Sequence, residues 1–194
     1  MRCSPAKASR SQSATLFGVG GSKLLKAASL SPMARRRIDS LLRLINVFDV
    51  EIDGAAKTTA AQLAEHPGYA AVQTLPGIGP ILGAIFVVEI GDVTRFPGPT
   101  QLASWVGLTP KHHESDTTVH RGRITKQGSR LVRWAAVEAV QRTGKHTRIG
   151  AYRDRVGERR GRNVGVVAAA RELVELVYYA LRDGTVRRSL SASA

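Results

Sequence analysis

Residues 69–92 read YAAVQTLPGIGPILGAIFVVEIGD. A short apolar helix over about 68–74 enters a tight turn, Leu75-Pro76-Gly77-Ile78-Gly79-Pro80. A second helix leaves the turn with Ile81, Leu82, Ile85, Phe86 and Val88 as its apolar residues. Gly77 and Gly79 allow the backbone to bend sharply and to approach a neighbour closely, because neither carries a Cβ. The amides that open the second helix lie at the positive end of its dipole, where an anion is favoured. Pro80 removes one of those donors. The stretch predicts an αα-hairpin, and with it a helical domain.

Upstream, Ser31-Pro32 provides a capping hydroxyl followed by proline at the first helical position. Ile38, Leu41, Leu42, Ile45, Phe48 and Ile52 then recur at helical spacing, opposite Arg37, Asp39, Arg43 and Asp53. This predicts a linker helix over 31–65 whose apolar stripe packs on the rest of the chain or pairs as a coiled coil. Residues 1–30, rich in Ser, Ala, Gly and Lys, are expected to be poorly ordered.

Downstream, Phe96-Pro97-Gly98-Pro99 closes the hairpin unit, and Thr100 to Val106 reads as a short helix with Gly107 as its C-cap. Residues 111–123 lack helical period. Thr117, Thr118 and Val119 suit one strand of a small ribbon, with Arg121-Gly122-Arg123 near its turn or return. Gly128-Ser129 opens a helix to about 142, buried along Val132, Ala135, Ala136, Ala139 and Val140. Lys126, Arg130 and Arg133 fall at spacings of four and three, a basic stripe on one side. A densely arginine-bearing helix over about 148–160 and an apolar one over about 163–182 complete the pattern, and residues 184–194 read as a frayed tail.

The fold expected is mainly α: a helical bundle with at most a small β-ribbon, its domain spanning 68–183, preceded by the long linker helix. The chain has 194 residues, 43% of them hydrophobic, enough to bury a core. Aromatics at 5% argue against a large β-sandwich. The net charge of +14 is segregated: residues 1–37 hold eight basic residues and no acid, and residues 111–162 hold fourteen basic against five acidic. Such a balance favours a polyanionic partner, nucleic acid or an acidic membrane surface. No apolar run approaches the roughly 20 residues of a spanning helix, and no secretory signal follows the basic N-terminus. The single cysteine, Cys3, excludes an intramolecular disulfide. A cytoplasmic, nucleoid-associated protein without a membrane partner is expected.

His112, His113 and His120 match no standard zinc spacing, so no metal site is assigned to them. The acids are scattered and form no strand-borne cluster of the kind two-metal phosphoryl transfer requires. Ser115 lies between Glu114 and Asp116. A serine there attacks a phosphodiester only if a base takes its proton and cations stabilise the developing charge. By spacing alone a loop serine is inert. Phosphate contacts are expected at Gly77, Ile78, Gly79, Lys111, His112, Arg121, Arg123, Lys126, Arg130 and Arg133.

The hairpin at 68–90 resembles the helix-hairpin-helix motif, which grips a DNA phosphate without reading bases. Over residues 72–142 the strings LPGIGPILGAIFVVEIGDVTRFPGPTQLASWVGLTP and HESDTTVHRGRITKQGSRLVRWAAVEA resemble the C-terminal transposase domain of the one-ten (also one-sixteen and nine-oh-two) group of insertion-sequence transposases. Residues 16–65 resemble the helical linker before that domain. The resemblance implies a recombinase guided by a structured bridge RNA, which joins this domain to an N-terminal RuvC-like domain whose four acids bind a divalent metal such as Mg. It places the nucleophile, the serine in the loop after GLTP, on Ser115. No RuvC-like segment is visible in this sequence, so the resemblance implies a C-terminal part carrying no cofactor of its own, inactive in transposition unless the metal-bearing half is supplied. Full-length members are expected to be homo-oligomers. Two other readings are a non-catalytic helix-hairpin-helix nucleic-acid-binding module, or transposase remnant, and an oligomerisation scaffold driven by the 38–52 stripe.

Overall fold

The computed structural model describes residues 19–115 and 118–185. The chain divides into two compact units, residues 1–51 and 52–194. In the first, helix α1 (Val19–Ala27) precedes the start of the long helix α2 (Pro32–Gln62). The helix α1 lies inside the segment expected to be poorly ordered. Its carbonyl end is capped by a side chain: the Arg35 guanidinium donates to Leu25 O at 2.7 Å and Ala28 O at 2.8 Å. Those carbonyls have no partner within their own helix, so an arginine there satisfies them and also meets the negative end of the dipole. At the start of α2, Ser31 Oγ accepts from Ala34 N at 3.3 Å. No residue of α2 is buried; Leu41, Ile45, Phe48 and Ile52 are all exposed.

The second unit contains the core. Helices α3 (Pro67–Gln73) and α4 (Pro80–Ile90) form the expected hairpin, followed by a 3-10 turn at Val93–Arg95 and helix α5 (Pro99–Val106). Strands β1 (Pro110–Ser115) and β2 (Thr118–Ile124) pair antiparallel, the only sheet among the described residues. Helices α6 (Arg130–Arg142), α7 (Arg148–Arg160) and α8 (Arg162–Asp183) complete the unit. The protein is mainly α-helical, as its periodicity predicts. No helix among the described residues is long and apolar enough to cross a membrane.

Helix α8 is the axis of the unit and packs against α3, α5, α6 and α7. Its buried face runs through Ala169, Ala170, Leu173, Val174, Val177, Tyr178 and Ala180. Facing it, α6 presents Ala135, Ala136 and Ala139, all fully buried. Small residues let two helices approach closely, and the larger Val72, Phe86, Leu102, Val106 and Ile149 fill the space around the contact. Each such aliphatic or aromatic side chain contributes roughly 1.5–3 kcal/mol by leaving water. A smaller cluster of Tyr69, Ala84 and Val87 is covered by Ala60, Leu63 and Leu181.

The hairpin turn packs inward. Gly77 has φ +82°, and a Cβ there would lie 2.2 Å from the Ala139 carbonyl oxygen. The buried Thr143 hydroxyl shares its proton between Ala139 O at 2.9 Å and Pro76 O at 3.2 Å, fastening the turn to α6. Ile78 is buried and its amide donates to Leu75 O at 3.2 Å. Of the three turn residues expected at a phosphate, only Gly79 is exposed.

Candidate nucleic-acid interface

The ribbon is rooted between α5 and α6. Gly107 ends α5 in the left-handed region at φ +78°, as its position after an apolar helix predicts. From there the Thr125 amide donates to Thr109 O at 2.9 Å and the Lys126 amide to Gly107 O at 3.1 Å, extending the pairing below the ribbon. A Cβ on Gly128 would sit 1.6 Å from Trp105 O, so the loop between β2 and α6 presses directly on α5. Arg133 secures the junction: its guanidinium donates to Val106 O at 2.6 Å and Gln127 O at 3.2 Å. Ser129 caps α6 by accepting from Val132 N at 3.2 Å and donates to Glu89 on α4 at 2.7 Å.

Above this root the register pairs Pro110 with Ile124, His112 with Arg121, His113 with His120, Glu114 with Val119 and Ser115 with Thr118. Between the first two pairs, one residue of β1, Lys111, stands against two of β2, a bulge on the β2 side at Gly122–Arg123. Of the two expected placements, turn or return, Arg121 to Arg123 lie on β2, the return strand. β1 begins at Pro110, and the last described pair of the ribbon is Ser115 with Thr118. Ser115 is the last residue of β1; its side chain, those of His112, His113, His120 and Arg121, and all of Asp116 lie outside the described residues.

Lys111, Arg123, Lys126 and Arg130 are exposed. Lys126 is not on α6: it sits in the loop before the helix, the one non-glycine residue with positive φ (57°) among those described. The helical stripe Lys126–Arg130–Arg133 is therefore broken at both ends. Lys126 precedes the helix, and Arg133 is committed to backbone carbonyls. Gly107 and Gly128 cannot accept a side chain for the same reason that the root is tight.

A second cationic surface lies beside the ribbon. A cleft of about 1520 Å³ opens between the ribbon root, α7 and α8. Arg123 and Lys126 enter it from the root, Arg148, Arg155 and Arg160 from α7, and Arg171 from α8. Two acids, Glu172 and Glu175, face them and pair with Arg148 at 2.9 Å and Arg171 at 3.2 Å. The arginine density of α7 is visible in the sequence, but residue type alone gives it no site. The signal was present: Arg148, Tyr152, Arg155 and Arg159 follow at intervals of four, three and four, one face of a helix. Among the described residues no three His, Cys, Asp or Glu side chains converge to hold a metal ion.

Comparison with known proteins bears on this arrangement. Residues 69–162 match the family described as Transposase IS116/IS110/IS902. The chain is 30% identical to the insertion element IS110 uncharacterized 43.6 kDa protein of Streptomyces coelicolor, over 66% of this chain and 32% of that protein. It is 24% identical to the transposase for insertion sequence element IS1111A of Coxiella burnetii, over 84% of this chain and 46% of that one. The pilin gene-inverting protein of Moraxella bovis is 29% identical over 57% of this chain and 35% of its own. The chain thus spans 32% to 46% of the length of these curated relatives.

Proposed function

Because residues 69–162 of this chain are a transposase domain of the IS116/IS110/IS902 family, we propose that the chain is the DNA-binding part of an insertion-sequence transposase and that Ser115 is its nucleophile. The observation that supports this best is the position of Ser115. It ends a strand whose root is locked between α5 and α6, with Lys111 and Arg123 exposed along the same ribbon and Lys126 exposed at its root.

In the proposed step the Ser115 oxygen forms a bond to phosphorus and loses its proton to a base. The bond from phosphorus to the leaving deoxyribose oxygen breaks, and that oxygen takes up a proton. Cations of the ribbon offset the charge on the non-bridging oxygens. A divalent metal, when bound to a RuvC-like domain, would supply further charge neutralisation. The described residues do not fit such an ion, and the step assigned to Ser115 needs none of them to hold one.

The chain, a RuvC-like partner, structured guide RNA and element-end DNA together are expected to yield a covalent protein–DNA adduct. Adduct of equal yield from Ser115→Ala would sink the assignment.

A second copy of this chain is the proposed partner of α2. Ile38, Leu41, Ile45, Phe48 and Ile52 alternate at intervals of three and four, the seam of a two-stranded coiled coil. Leu41, Ile45, Phe48 and Ile52 are left exposed.

A further inference from the structure

We infer that the cleft between the ribbon root, α7 and α8 is a channel for an unpaired nucleic-acid strand. This rests on the reading of the chain as a nucleic-acid-binding protein. The lining has two components. Its floor is apolar: Leu108, Ile124, Val164, Val167 and Ala168. Val164 is 47% exposed. Its rim is cationic, and the cations differ in commitment. Arg148 and Arg171 are neutralised by Glu172 and Glu175. Arg123, Lys126, Arg155 and Arg160 have no acidic partner among the described residues. Arg155 instead lies 5.5 Å from the ring centroid of the half-buried Tyr152.

A duplex presents phosphates outward and keeps the faces of its bases stacked, so it would meet the rim and leave the floor wet. An unpaired strand presents both: phosphates for the uncommitted cations, and flat apolar base faces for the floor and for the Tyr152–Arg155 pair. The cleft volume, about 1520 Å³, exceeds the roughly 300–1,000 Å³ usual for a small-molecule site, which also points to a polymer. Arg123 and Ile124 belong to β2 and to the cleft alike, so a strand lying here runs up to the root of the ribbon that bears Ser115.

The test is fluorescence anisotropy of the full chain with labelled oligothymidylate, oligouridylate and a duplex of equal length. The single strands are expected to bind more tightly than the duplex. Arg155→Ala with Arg160→Ala, both exposed positions, should weaken single-strand binding by at least about fivefold. Val164→Glu, which puts charge on the floor at an exposed position, should do the same while weakening the duplex less. Arg142→Ala, which lowers the net charge by one unit outside the cleft as Val164→Glu does inside it, should have little effect on either.

Preference between the thymidylate and uridylate arms tells whether DNA or RNA is the source of the strand, and either supports the channel. Duplex binding equal to single-strand binding, or indifference of single-strand binding to Val164→Glu, overturns the inference and leaves general DNA binding standing. Failure to bind any of the three refutes both.

Discussion

At Gly77 and Arg133, residue types that suggest a phosphate contact instead form joints of the core. Both types are ambiguous on paper: a glycine in a turn suits an approaching ligand or an approaching helix, and an arginine suits a phosphate or a carbonyl. Gly77→Ala is expected to lower stability by roughly 2–4 kcal/mol, since it adds a left-handed residue and a clash with the α6 backbone. Thermal or denaturant unfolding measures this, and DNA affinity below the transition should not change. Arg133→Ala should cost about 1.5–3 kcal/mol of stability through the two carbonyls it releases, yet leave the salt dependence of DNA binding as it was. Arg130→Ala should show the converse, with near-normal stability and a log–log salt slope shallower by about 0.9 if it touches one duplex phosphate. Reversal of the two results would restore Arg133 as a phosphate ligand.

At the scale of elements, most of the helices were legible because their signals are local. Ser129 and Thr147 accept from the third amide beyond them, Gly107 adopts the left-handed cap, and the apolar positions of α6 and α8 keep their period. The ribbon was legible in kind but not in register. Alternation does not specify which residues of two polar strands face each other, and the bulge at Gly122–Arg123 shifts the pairing by one. The cleft was legible only as the arginine face of α7, which alone resembles a solvated helix, because the ribbon root and the α7–α8 pair that build it are separated in sequence by α6. Lys126 tests the ribbon root. Its backbone conformation is one that L-residues adopt at a cost of about 1–2 kcal/mol. Lys126→Gly is therefore expected to be more stable than Lys126→Ala by roughly 1 kcal/mol, while the two lose DNA affinity equally. Equal stability would show that the strain is relieved elsewhere.

On the scale of the whole molecule, the two units place different demands on their surroundings. Residues 52–194 bury a core of their own, whereas the apolar stripe of α2 is exposed among the described residues. Replacing Ile45 and Phe48 together by Asp is expected to shift the chain from dimer to monomer in sedimentation or light scattering. It should change the unfolding midpoint of the α8-centred unit little, because neither side chain belongs to its core. A wild-type monomer at micromolar concentration would refute the pairing. The sequence made the stripe visible but left its partner open, since a periodic apolar face looks the same whether it packs on its own chain or on another.

The root of the ribbon has one more consequence, for motion. The Thr125 and Lys126 amides close on carbonyls at the end of α5, Gly128 presses against Trp105, and Arg133 binds across the junction from α6. A ribbon so mounted has no hinge at its base. Force applied along it passes into the seam between two core helices, where little can yield without unfolding. Hydrogen exchange at those two amides should proceed only at the rate of global opening, as slowly as exchange in the middle of α6. The root is then a clamp, and in the proposed function a DNA strand drawn against the ribbon must itself bend.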